Sequence, residues 1–241
     1  MANQHEANAQ NFDPERLRPP AYVFQPDPRN TMWVRIDIAS GTSRPFELTD
    51  HHQEIAALAL HEGVPKEIAI QFETVRNLFL YAWFIYRFYP VSEHHSLACL
   101  ELALRDRLKD DISQGRVQCQ GKRPMLQALL KHAVDCGIVK NEGFERWRNR
   151  GLINARARVE MEQIREMSER NLSQMVWDDS AIEIKPEDLD WDYANVLVDT
   201  LSQIRNDYAH GSTNLHHLAL ETIRVVREII NQLYDAPPML K

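Results

Sequence analysis

The stretch that decides the fold is "KEIAIQFETVRNLFLYAWFIYRFYP", residues 66–90. Its apolar positions recur every three or four residues, which places them on one side of a helix: Ile68, Phe72, Val75, Phe79, Ala82 and Tyr86. Leu78, Trp83 and Ile85 widen this stripe almost to the full circumference, so a helix over about 66–88 is predicted to be central. Pro90 is predicted to end it.

The rest of the chain predicts a helical bundle around that segment. Further helices are expected at about 53–62, 93–112, 123–136, 142–176, 191–209 and 215–234, with Ser92 as an N-cap and an interruption at Gly151. Residues 21–48 contain short β-branched and aromatic segments separated by turn residues, which predicts a small sheet or an arm on the main body. Residues 1–20 are polar and Pro-rich and predict a disordered or loosely attached arm.

These patterns predict an all-α, multi-helix bundle with a small irregular or β-containing N-terminal extension. The predicted division is an arm at residues 1–50 and a helical domain at residues 51–241. The apolar run at 78–86 is far shorter than the roughly 20 residues of a membrane span, so it indicates a buried helix.

Composition limits the class of protein. The chain has 241 residues and a formal net charge of −7, which excludes a uniformly basic nucleic-acid coat. Three cysteines without a Cys-x-x-Cys pair favour a reducing compartment, and the N-terminal segment lacks the apolar core of a signal peptide. We therefore expect a cytoplasmic protein with no membrane partner.

Neither a metal nor a cofactor is predicted. The ten histidines include three adjacent pairs, but neighbouring residues on a helix point about 100° apart and do not converge on one ion. The sequence has no His-Glu-x-x-His motif, zinc-type Cys/His spacing, P-loop, dinucleotide fingerprint or nucleophile elbow.

A basic cluster lies within thirteen residues around Trp147 and consists of Arg146, Arg148, Arg150, Arg156 and Arg158. One interpretation is an RNA-binding face with a stacking aromatic residue. The other is a solvated helix face, which the flanking glutamates 142, 145, 160 and 162 favour.

The most informative motif is "QIRNDYAHGS", residues 203–212. A histidine can move a proton to or from a ribose oxygen, and an arginine can stabilise the charge on a pentavalent phosphorane. Arg205 and His210 lie about 140° apart on a helix, so one copy makes a poor catalytic pair. Two copies related by a two-fold axis would complete each other.

"IRNDYAHG" resembles the Arg-x(4–6)-His signature of the HEPN (higher eukaryotes and prokaryotes nucleotide-binding) domains, in which a polar residue often follows the arginine. "SLACLELALRDRL", which holds Glu101 and Arg105 at i,i+4 spacing, is similar to the Glu-x-Ala-Leu-Arg helix of that superfamily. "REIINQLYD" resembles its closing helix. The resemblance covers residues 66–236 and leaves 1–50 unexplained.

The resemblance implies an all-α bundle that dimerises through the motif-bearing helices and cleaves RNA without a metal, as in toxin–antitoxin, abortive-infection and CRISPR-associated systems. It implies Arg205 and His210 as the catalytic pair, Asn206 as the residue that orients them, and Asp207 and Tyr208 as weaker support. RNA, a second copy of the chain and an antitoxin protein are the implied partners. His210 is followed by Gly211 and Ser212, unlike the His-x-Tyr ending of one toxin subgroup.

Other interpretations of the motif stay open at this point. Arg205 and His210 would also serve as ordinary helix-terminating residues, because cations are favoured near a helix C-terminus. The chain would then be a non-catalytic RNA- or nucleotide-binding module, or a helical interaction scaffold.

Overall fold

The computed structural model describes residues 12–118, 121, 123–176, 182–211 and 215–235. It is a mainly α-helical fold with a two-stranded sheet near the N-terminus, as the sequence predicted. The strands are β1 (Val34–Asp37) and β2 (Thr42–Pro45). The helices are α1 (Leu48–Ala56), α2 (Lys66–Tyr81), α3 (Phe88–Arg107), α4 (Lys109–Ser113), α5 (Leu126–Asp135), α6 (Glu145–Glu169), α7 (Tyr193–Ala209) and α8 (Ala219–Asp235).

The centre of the bundle is α3, which packs against α2, α5, α7 and α8. The prediction that residues 66–88 form the central helix was therefore wrong. The burial of α3 was hidden by its polar residues Ser92, Glu93 and Ser96, all of them buried. The hydroxyl of Ser92 donates to the Tyr89 carbonyl at 2.7 Å, and that of Ser96 donates to the Glu93 carbonyl at 2.7 Å, so neither lacks a partner.

The apolar stripe predicted for residues 66–88 is confirmed, because all six of its side chains are buried. The opposite side of α2 is open, with Ile70 and Tyr81 about half exposed. The helix ends at Tyr81 rather than at about residue 88, and a tight turn leads into α3.

Pro90 does not end a helix, as had been predicted, but lies in the first turn of α3. The first N–H groups of a helix have no intrahelical acceptor, so a proline there sacrifices no hydrogen bond. The predicted cap, Ser92, is consequently inside the helix, and α3 begins about five residues earlier than expected.

Residues from 12 onward in the N-terminal segment are tied to the bundle, in contrast to the loose arm predicted for residues 1–20. The side-chain amide of buried Asn30 donates to the carbonyls of Ala82 and Trp83, each at 2.9 Å. The backbone N–H of Asp27 donates to the Trp83 carbonyl at 2.9 Å, and the Arg18 guanidinium donates to the carbonyl of Phe84. The segment therefore satisfies the carbonyls of the turn that follows α2. The first eleven residues lie outside the described part.

The predicted small sheet is a single antiparallel hairpin in which Arg35 lies opposite Arg44. Both arginines form ion pairs with Asp50 of α1, at 3.1 and 2.6 Å. This pairing attaches the hairpin to the bundle, since a lone two-stranded ribbon is only marginally stable. Of the other segments with strand-like composition, 21–25 is not a strand, and only Pro45 of 45–48 belongs to one, as the last residue of β2.

The predicted interruption at Gly151 is absent, and α6 runs continuously from Glu145 to Glu169. A Cβ atom on Gly151 would lie 2.4 Å from Cδ2 of Leu189, in the 3₁₀ turn Pro186–Leu189. The glycine is thus required for close packing and does not break the helix. Among the described helices, none has the length and apolarity needed to cross a membrane.

Candidate active site

The motif residues 205–210 occupy the C-terminal end of α7. His210 is the C-cap residue, and its N–H donates to the Asn206 carbonyl at 3.0 Å. Gly211 follows with φ of +86°, a left-handed conformation that terminates a helix readily only when no Cβ is present. The predicted helix end and its glycine stop are confirmed.

Arg205 faces the central helix α3, where the carboxylate of Glu101 lies between the guanidinium groups of Arg205 and Arg105. Nη2 of Arg205 lies 3.8 Å from Oε2 of Glu101, and Nη2 of Arg105 donates to Oε1 of Glu101 at 2.7 Å. The Arg105 guanidinium also donates to the Pro124 carbonyl at 2.6 Å. Glu101 and Arg105 thus form the i,i+4 pair that the sequence predicted. The packing of α3 against α7 brings Arg205 to the same carboxylate.

Tyr208, one turn after Arg205, anchors the same face of α7. Its hydroxyl donates to Oε2 of Glu93, a carboxylate that is only 3% exposed. Burial, and then the bond to Glu93, raise the pKa of Tyr208 above its ordinary value, so the phenol stays protonated. Tyr208 is therefore a half-buried hydrogen-bond donor in this chain.

Two further side chains converge on Glu93. The hydroxyl of Thr222 donates to Oε1 of Glu93 at 2.5 Å, and Nε2 of His216 lies 3.2 Å from its Oε2 and 3.1 Å from the Tyr208 hydroxyl. Sequence reasoning missed Glu93, His216 and Thr222 as a group. The available signal was Thr222, a polar residue within the apolar stripe of the last helix.

The remaining motif residues face solvent. His210, Asn206 and Asp207 are exposed, and Asp207 accepts a hydrogen bond from the Gln203 amide at 2.8 Å. Within the described residues, no hydrogen bond joins the His210 ring to any side chain, Arg205 included. Tyr208 and His210 lie about 200° apart around the helix, so His210 points away from α3 while Tyr208 points towards it.

An exposed strip of α3 borders this end of α7. Val91, His94, Ala98 and Leu102 are exposed at helical spacing, and the His94 ring lies 5.6 Å from that of Tyr208. The exposed strip therefore adjoins the end of α7 that bears Arg205 and His210.

The histidine pairs do not form a metal site. The described residues contain no cluster of three or more side chains suited to hold a metal. His51 is buried and stacks on Phe79, and its Nε2 is 2.9 Å from the Phe79 carbonyl oxygen. Burial lowers the pKa of His51, which favours the neutral ring of a packed core histidine.

The five arginines of the basic cluster do not share one face of α6. Side chains two residues apart, such as 146 and 148 or 156 and 158, point about 200° apart, and Arg150 and Arg156 are about 240° apart. Arg158 is paired with Asp188 at 2.9 Å, and Arg148 donates to the Glu142 carbonyl at 2.5 Å. Arg146 lies 5.9 Å from the centre of the Tyr193 ring.

A cavity of about 730 Å³ lies between α6 and α8. Three arginines and four carboxylates line it: Arg146, Arg150, Arg224, Glu145, Asp190, Glu221 and Glu228. This mixture is not a phosphate-binding cradle, which would be dominated by cations and N–H donors. Burial raises the pKa of Glu228, whose Oε1 accepts the Glu145 N–H at 3.1 Å.

Comparisons with known proteins identify no relative: no family model, no curated protein and no solved structure matches this chain.

Proposed function

We propose that this chain is a metal-independent endoribonuclease whose active site is formed by the C-terminal ends of two α7 helices. The observation that carries the proposal is the placement of Arg205 and His210 on a single exposed helix end. Arg205 is held by Glu101 there, and His210 is left open to solvent.

Each side chain suits one task in transesterification by the ribose 2′-hydroxyl. His210 serves as the general acid or base, because an imidazole ring has one nitrogen that can accept a proton and one that can donate it, and this ring is exposed. Arg205 stabilises the phosphorane with a planar, permanently charged donor group. Asn206 is a neutral donor and acceptor beside them, suited to orient the phosphate. The products would carry a 2′,3′-cyclic phosphate.

The second copy is needed because the two catalytic side chains do not meet within one chain. An isologous pairing would set Arg205 of each copy beside His210 of the other, over the exposed α3 strip. Such a nuclease fits the role of a toxin or phage-defence effector controlled by an antitoxin protein, as the motif resemblance implies.

The test is cleavage of mixed RNA by purified full-length protein in EDTA, with identification of the 3′ ends. Wild type should cut, and His210→Ala and Arg205→Ala should each cut at least a hundredfold more slowly. His52→Ala and Arg165→Ala are matched controls, since both residues are exposed and lie outside the motif. An inert wild type, or mutants as active as it is, would exclude the nuclease.

A second candidate function is RNA binding without cleavage. It is favoured by Arg150 and Arg156, which are exposed and form no ion pair within the described residues. In that case RNA affinity would fall steeply with salt, and Arg150→Gln and Arg156→Gln would weaken it while His210→Ala would not.

A further inference from the structure

The outer face of α6 carries an exposed apolar strip, here called the α6 seam: Ile153, Ala157, Met161 and Ile164. Ile153, Met161 and Ile164 are each more than half exposed. Their spacing of four, four and three residues confines them to an arc of about 80°. The opposite face holds α6 on the bundle through buried Gly151, Ala155 and Val159.

The charge along α6 is distributed unevenly. Residues 145–158 contain five arginines and one glutamate, whereas residues 159–169 contain four glutamates and one arginine. This gradient opposes the helix dipole, which favours acidic residues at the N-terminus and basic residues at the C-terminus. It therefore does not stabilise the isolated helix, but it complements a second α6 running in the opposite direction.

We propose that the α6 helices of two copies of this chain pair antiparallel along the seam, about a two-fold axis at Ala157. Small Ala157 allows close approach at the axis, and Ile153 of each copy packs against Met161 of the other. The basic half of each helix then lies along the acidic half of its partner.

This register makes one reciprocal ion pair. Arg156 and Glu160 lie on the same edge of the seam, one and three residues from the axis and on opposite sides of it. In an antiparallel two-fold pair this edge meets itself, so Arg156 of each copy faces Glu160 of the other. Within the described residues of one chain, neither of them forms an ion pair.

The seam is separate from the candidate active site. The start of α6 contacts the segment just before α7, where the Trp147 indole donates to the Trp191 carbonyl at 2.7 Å. The motif lies at the other end of α7, about 25 Å away for a 17-residue helix. The pairing of α6 is therefore independent of the proposed nuclease and is measured without RNA.

Sedimentation velocity of the full chain tests the pairing, over about 1 to 100 µM. Wild type should self-associate, and Arg156→Glu and Glu160→Arg should each raise the dissociation constant about tenfold or more. The double variant R156E/E160R should return to within about threefold of wild type, because the charges are exchanged and not lost. Lys66→Glu, at an exposed site on α2, is the control for net charge.

Cysteine cross-linking tests the direction and the register. Ala157→Cys should form an inter-chain disulfide under diamide, since the two copies of residue 157 meet at the axis. Ile164→Cys should not, because antiparallel copies of residue 164 are about 20 Å apart. Wild type, with three cysteines of its own, sets the background. A monomeric wild type, an unrestored double variant, or equal cross-linking at 157 and 164 would overturn the proposal.

Discussion

The C-terminal ends of α2 and α7 have similar sequence patterns but opposite environments. Both helices carry a regular apolar stripe with a tyrosine in the last turn. The turn that closes α2, at Ala82 and Trp83, is buried, and Asn30 and Asp27 from the N-terminal segment bind its carbonyls. The end of α7 is exposed at His210 and Gly211.

The difference shows that local pattern does not decide what a helix end does. The last carbonyls of any helix lack intrahelical donors, and burying them without partners is costly. At α2 the N–H groups of the following turn bind the last helix carbonyls, and a distant segment binds the buried carbonyls of that turn, so this end is structural. No such segment within the described residues covers His210, so its ring stays accessible to a substrate or a second chain.

The largest expected effect concerns the exposed end. His210→Ala should slow RNA cleavage by about 10² to 10⁴-fold, the range for loss of a general acid or base. Its free energy of unfolding should change by less than about 0.5 kcal/mol, because the side chain is exposed. Urea unfolding and cleavage assays on the same sample measure both quantities. A large loss of stability would show that His210 is structural and would erase the contrast.

Asn30→Ala tests the buried turn after α2, and there the expected effect is a loss of stability. It removes the donor to two buried carbonyls and should lower the free energy of unfolding by about 2 to 4 kcal/mol. Asn77→Ala is the matched control, since Asn77 is exposed and donates only within its own helix. If both variants unfold at the same urea concentration, the N-terminal segment does not stabilise the end of α2.

Tyr208→Phe should have a smaller effect on stability. It measures how much the hydrogen bond from Tyr208 to Glu93 contributes to holding the end of α7 on the bundle. The substitution deletes one hydrogen-bond donor to buried Glu93, whose carboxylate still contacts Thr222 and His216. We therefore expect the free energy of unfolding to fall by about 1 to 2 kcal/mol. The control is Tyr81→Phe, whose ring is half exposed and which should unfold like wild type. Equal stability of the two variants would mean that the Glu93 cluster does not hold this helix end.

The smallest expected effect is on the pH dependence of the free energy of unfolding, and it comes from Asp27 in the N-terminal segment. Burial acts to raise the pKa of Asp27, but hydrogen bonds from Arg29 and from the Tyr86 N–H outweigh it and hold that pKa below its ordinary value. A lowered folded-state pKa gives stability above about pH 4 that is lost as pH falls through the folded-state pKa.

Between pH 5 and 3, the stability of wild type should therefore fall more steeply than that of Asp27→Asn. The difference in slope should be at most about 1.4 kcal/mol per pH unit, the limit for one proton. Urea unfolding at several pH values gives both slopes, and parallel slopes would show that Asp27 titrates alike in both states.

Several features of the fold were predictable because they depend on local periodicity. The stripe from Ile68 to Tyr86 is buried as predicted, and Gly211 ends α7 as predicted. The Glu101–Arg105 pair follows from i,i+4 spacing alone. Each of these features is determined within one or two helical turns.

The errors came from residues whose role depends on their partners. Pro90 had been expected to end a helix but lies in the first turn of one, and Gly151 had been expected to break α6 but accommodates Leu189. The hydroxyls and the carboxylate that α3 buries kept the sequence pattern from identifying that helix as central, since a hydropathy pattern does not register satisfied polar groups.

The sequence by itself determined the helical class, most of the helices and the candidate pair Arg205 and His210, because these depend on residue type and short-range spacing. Only the tertiary structure placed Glu101 beside Arg205 and Glu93 beside Tyr208, and closed the end of α2 with Asn30. Those contacts join residues about 50 to 115 positions apart. They form only when helices pack, and nothing in the local sequence of either partner specifies the other.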